Sequence, residues 1–66
     1  MVVQFTLHAK ERMDEHGIDE EQVKVAILRG SVSRQTEGYL ASYTYFSVAF
    51  QRRGDVYRVK TVFLNR

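Results

Sequence analysis

The chain changes period at Gly30. Before it, two segments of helical length are each opened by a capping side chain and closed by a glycine. After it come segments of strand length separated by turn signals, and the last of them alternates clearly. Thr6 can cap a helix over residues 7–16, and Gly17 suits the left-handed residue that ends it. Asp19 follows, with E-E-Q-V-K-V-A-I-L-R behind it. Its carboxylate and the two glutamates favour a helix N-terminus, and Gly30 closes the segment. Val23, Ala26 and Ile27 form that helix's apolar stripe.

Beyond Gly30, S-V-S-R-Q-T predicts a short strand and Glu37-Gly38 a turn. Y-L-A-S-Y-T-Y-F-S-V-A-F, residues 39–50, predicts one long strand rich in aromatics. R-R-G-D is the next turn. The last segment, V-Y-R-V-K-T-V-F-L, alternates, with Tyr57, Val59, Thr61 and Phe63 pointing one way and Val56, Arg58, Lys60, Val62 and Leu64 the other. The opening V-V-Q-F-T suits a further short strand. The expected order is β-α-α-β-β-β, a two-layer α+β domain over residues 1–66 with an antiparallel sheet and a helical pair packed on one face. The uncovered sheet face is the natural place for a ligand. Leu40, Phe46, Val48 and Phe50 are the expected core side of the long strand, which turns Tyr39, Tyr43 and Tyr45 to the open face.

A chain of 66 residues buries only about 60% of its unfolded surface. No cysteine is present to staple it, so dimerisation or a bound partner is an ordinary source of added stability. No run of eighteen apolar residues exists, and M-V-V-Q-F-T lacks a basic start and an apolar block, so a cytoplasmic protein with no membrane contact is expected. The net charge of +2 hides an asymmetry: residues 1–22 carry a net −4 and residues 23–66 a net +6. The basic half suits a polyanion, or a solvated face.

The chemistry-bearing pair is His8 and Arg12 in T-L-H-A-K-E-R-M. Four residues apart on a helix, they are offset by about 40° and share a face. Histidine titrates near neutrality and arginine presents a fixed fork of donors, so the pair can combine an acid/base group with a phosphate-binding cation. His8 is as well suited to a helix cap or the helix–sheet border, and Arg12 to an ion pair with Glu15. Arg58 and Lys60 share a strand face and can track a phosphate backbone. The tyrosines, Tyr43 among them, can stack on unpaired bases, or serve edge packing or a dimer. Arg52 and Arg53 flank a turn and are assigned general affinity only. No metal or other cofactor is expected: His8 and His16 stand about two turns apart, too far for one ion without other ligands.

T-L-H-A-K-E-R-M, H-G-I-D-E-E-Q-V, A-I-L-R-G and V59-K60-T61-V62 together resemble the family catalogued as domain of unknown function 4258, whose members typically start with T-x-H-A-x-x-R-M. The similarity spans nearly the whole chain. The resemblance places the chain with the RelE/ParE-like toxin superfamily and implies its fold. It implies RNA as the partner and metal-independent cleavage to a 2′,3′-cyclic phosphate as the activity. His8, Arg12 and Thr61 are then the catalytic candidates, and Lys60, Arg58, Tyr43 and His16 the RNA-binding ones. Many members carry arginine where His16 stands. A toxin–antitoxin setting implies an antitoxin-like protein partner. The rival reading is a non-catalytic module that binds an acidic protein segment or nucleic acid, as a strand-pairing homodimer among other forms.

Overall fold

The computed structural model describes residues 1–65. Strand β1 (Val2–Phe5) leads into helix α1 (Leu7–His16). Helix α2 (Glu20–Arg29) follows, and then strands β2 (Ser31–Gln35), β3 (Gly38–Tyr43), β4 (Phe46–Arg53) and β5 (Val56–Leu64). They form one five-stranded sheet in the order β1-β5-β4-β3-β2. Both helices lie on one face of it, contributing Ala9, Met13, Val23, Ala26 and Ile27 to a single core with Phe46, Val48, Phe50, Val59 and Val62. Burying each of the large apolar side chains contributes about 1.5–3 kcal/mol.

The helices follow their local signals. Thr6 caps α1, its Oγ1 accepting from Ala9 N, and Gly17 ends the helix at a left-handed φ of 66°. Asp19 and Gln22 form a reciprocal capping box at the start of α2.

The sheet departs from expectation in three places. It is mixed rather than wholly antiparallel, because β1 runs parallel to β5, with Gln4 beside Arg58 and Phe5 beside Val59. The order is therefore β-α-α-β-β-β-β. The expected long strand over 39–50 is instead the hairpin β3–β4, closed by the two-residue loop Thr44-Tyr45. Thr44 takes a φ of 51°, the left-handed conformation that a tight hairpin demands at its first loop position. A two-residue loop makes odd residues of one strand pair with even residues of the next, as Tyr39 with Phe50 and Ala41 with Val48. Tyr39 and Tyr43 consequently share the helical side with Val48 and Phe50, and not the open side.

The third departure is a bulge. Phe50 pairs with Val59 but Ala49 with Thr61, which leaves Lys60 without a partner in β4. The extra residue lets Val59 and Val62, three apart, both point into the core at 0% exposure. Thr61 and Phe63 thereby move to the open face, together with Arg58, instead of sharing the face of Val59.

Thr6 locks this bulge to α1. Its N–H donates to Val59 O at 3.2 Å, and its hydroxyl donates to Lys60 O at 3.1 Å while accepting from Ala9 N at 3.0 Å. Replacing Thr6 by the isosteric valine removes the hydroxyl bonds without changing volume. Thr6→Val is expected to lower the unfolding free energy by about 2 kcal/mol, and Thr6→Ser by much less. Urea titration followed by circular dichroism measures both, and equal midpoints for valine and wild type would show that the hydroxyl is dispensable.

Candidate nucleic-acid interface

On the face turned away from the helices, register aligns polar side chains across the sheet. Gln4 of β1 lies beside Arg58 of β5, and Arg58 beside Gln51 of β4. Gly38 of β3 comes next, paired with Gln35 of β2. Gly38 leaves the row open at its centre. At its φ of 139°, a Cβ would stand 2.5 Å from Phe50 O and 3.2 Å from Gln51 Cγ. The amide of Gln51 instead reaches Glu37 O at 3.2 Å, and Lys60 Nζ donates to the same carbonyl at 3.0 Å. Together they fasten the β2–β3 turn onto the sheet.

Beside this row is a concavity of about 550 Å³ lined by Gln4, Glu37, Gln51, Arg53 and Arg58, with Arg52 and Tyr39 at its border. Three guanidinium groups therefore meet one carboxylate there. Among the described residues the ion pairs are Met1 N with Asp55 at 3.1 Å and Arg12 with Glu15 at 3.0 Å, and neither involves an arginine of the concavity. Arg53 and Arg58 are exposed. Donors with no anion of their own, gathered in a hollow, suit phosphate, which accepts the arginine fork two bonds at a time.

The other sequence candidates separate into groups. Lys60 and Thr61 stand half-buried on the open face with Arg58, Thr61 brought there by the bulge. His8, Arg12 and His16 ride on α1, in the opposite layer. His8 is exposed and has no side-chain hydrogen bond or ion pair among the described residues, while Arg12 is taken up by Glu15 and His16 is half-buried in the last turn. Tyr43 is half-buried on the helical side, edge-on to Phe46 with centroids 6.4 Å apart. Tyr45 is exposed in the hairpin loop. Among the described residues the open face thus offers no row of tyrosines, and its one large exposed ring is Phe63. No group of three or more His, Asp or Glu side chains able to hold a metal ion exists among the described residues, and none of the described helices is long and apolar enough to cross a membrane.

Sequence reasoning overlooked Gln4 and Gln51 and undervalued Arg53. The glutamines carry no charge signal, and their alignment with Arg58 depends on the parallel pairing of β1 and on the β4–β5 register. Arg53 did carry a signal, the doublet R-R-G at a turn, but not its place beside Arg58.

Arg53 and Arg58 hold nothing together within the fold. Arg53→Ala and Arg58→Ala are expected to leave the thermal midpoint within the shift corresponding to about 0.5 kcal/mol. Differential scanning calorimetry measures it, and a large loss for either variant would make that arginine a structural element instead.

The family model described as Domain of unknown function (DUF4258) matches residues 5–64. No curated protein and no solved structure matches the chain.

Proposed function

The chain belongs to the DUF4258 family, and we propose that this member is a small RelE-like protein that binds RNA through its open sheet face. The observation that carries the reading is the concavity where Arg53 and Arg58 stand exposed, without carboxylate partners among the described residues, and where Arg58 lies between Gln4 and Gln51. The arginines supply charge-assisted bonds to phosphate oxygens. The glutamine amides each offer donors and an acceptor, which matches the 2′-hydroxyl and the edges of an unpaired base. The site is a sheet surface with no projecting helix, an arrangement suited to a nucleic-acid strand lying across it and unsuited to entry into the major groove of a duplex. The element order, a strand and two helices before an antiparallel run, supports the RelE-like part of this proposal, which carries with it a toxin–antitoxin setting and an antitoxin-like protein as a second partner.

The binding reading has a quantitative test. Each phosphate released from its counterions lowers the slope of log K against log salt by about 0.7 for a single strand. Arg53→Ala combined with Arg58→Ala is expected to weaken RNA binding at least tenfold and to reduce the slope by about 1.4. Fluorescence anisotropy across a salt series measures both, and unchanged affinity in the double variant would sink the proposal.

A second reading, metal-independent cleavage, is favoured by His8, which is exposed and has no side-chain partner among the described residues. The helical turn that carries it is tied to the carbonyl of Lys60 through Thr6. His8 is the acid or base of that reaction, and Thr61, half-buried on the open face, is a further candidate. Mixed RNA incubated in EDTA should then yield 2′,3′-cyclic phosphate ends with wild-type protein and none with His8→Ala. Intact RNA in both reactions would leave binding as the activity.

A further inference from the structure

Arg52 stands between two hollows at the end of the sheet where β4 turns into β5. On the open side is the concavity of Arg53 and Arg58. On the helical side is an apolar groove of about 230 Å³ bounded by Leu28, Val32, Tyr39, Phe50 and Tyr57. Arg52 and Tyr39 line both, so the hollows are adjacent at the sheet's end.

The guanidinium of Arg52 is held from two directions. Its Nε donates to Gly54 O at 3.0 Å, and its Cζ lies 5.1 Å from the ring centroid of Tyr57. Tyr57 rests against Phe50 at 5.9 Å between centroids, and Phe50 is stacked on Tyr39 at 5.5 Å and 23°. The planar cation is thus backed by a chain of rings reaching into the core, and it is exposed to solvent. It has no carboxylate within ion-pair distance among the described residues. A tethered, ring-backed guanidinium has lost its rotational freedom before any ligand arrives, which lowers the cost of binding.

We infer that Arg52 is the stacking platform for one unpaired base, and that the ligand of this face is therefore single-stranded RNA. The inference rests on the RNA-binding reading and names the class of RNA. Guanidinium planes accept a base on their face as aromatic rings do. A base inside a duplex has both faces covered by its neighbours, whereas an unpaired base can turn over the sheet's end while its phosphate stays with Arg53 and Arg58. The apolar groove then receives the base's edge, on the side where Leu28 is 69% and Val32 47% exposed. Lysine would supply the charge without the plane.

The test compares an oligouridylate with an abasic ribose-phosphate strand of equal length, by fluorescence anisotropy. Wild type should bind the oligouridylate about tenfold more tightly, equivalent to about 1.4 kcal/mol. Arg52→Lys should reduce that affinity to the abasic level and leave the salt slope unchanged. Arg58→Ala should weaken both ligands alike. Equal wild-type affinities for the two strands would overturn the stacking inference and leave RNA binding standing. An Arg52→Lys variant that still prefers the oligouridylate would remove Arg52 as the platform. Binding of neither strand would overturn the RNA reading and this inference with it.

Discussion

The fold depends on how the chain accommodates one extra residue in its last strand. Val59 and Val62 must both enter the core, and a regular strand cannot place residues three apart on one face. The bulge at Lys60 solves this, but it leaves backbone groups that β4 does not pair. Thr6 supplies the partner. Its hydroxyl accepts the N–H of Ala9, one of the free donors in the first turn of α1, and donates to the carbonyl of the bulged residue, so one side chain serves a helix end and a sheet defect together. The same contact fixes β1 beside β5, because Thr6 N is bonded to Val59 O directly after the parallel pairing ends. Without that pairing Gln4 would not lie beside Arg58, and without the bulge Thr61 would face the helices. The geometry of the open face thus originates at a residue in the opposite layer.

Electrostatics then divides the molecule in two. Acidic residues gather in the helical layer: Asp19, Glu20 and Glu21 sit at the start of α2, where the helix dipole and the unpaired N–H groups favour negative charge. Arg52, Arg53, Arg58 and Lys60 belong to β4 and β5. The small net charge of +2 conceals this separation. A polarised molecule orients an approaching polyanion toward its basic side and repels it from the other, which raises the fraction of productive encounters.

The helices were legible because their signals are local. Thr6, Gly17, Asp19 and Gln22 act within one turn of themselves, so the residues that start and stop α1 and α2 can be read without knowing the fold. The sheet was not, because its errors are errors of parity. Thr44-Tyr45 holds no glycine, asparagine or aspartate, and its neighbours, Tyr43 and Phe46, are strand-forming aromatics, so nothing announces a turn except length. A strand of twelve residues exceeds the usual range of about three to ten. Once the turn was missed, Tyr39 and Tyr43 were assigned to the wrong face. V59-K60-T61-V62 held a similar warning, since two valines three apart in a strand imply a bulge whenever both are buried. The parallel pairing of β1 with β5 joins the two ends of the chain and leaves no local trace. Arg58 and Lys60 carry a charge signal in the sequence, whereas Gln4 and Gln51 acquire their place beside them only from the register.

The arrangement of the arginines is hard to explain by stability. A domain of this size has a small margin of folding free energy, and like charges gathered on one surface reduce it. Carboxylates are not scarce, since the chain has eight. Yet among the described residues Arg12, on α1, has a carboxylate partner, while Arg52, Arg53 and Arg58 around the concavity have none. Lys60 differs, because it is tied to the Glu37 carbonyl and so helps to shape the surface. Arg52 differs again, held in one plane by Gly54 and Tyr57 without its charge being neutralised. Contacts that orient a cation and leave it unpaired preserve its capacity for an external anion. That combination, with Gln4 and Gln51 alongside, is what the proposed RNA-binding role asks of the open face, and ordinary solvation of a strand does not require it.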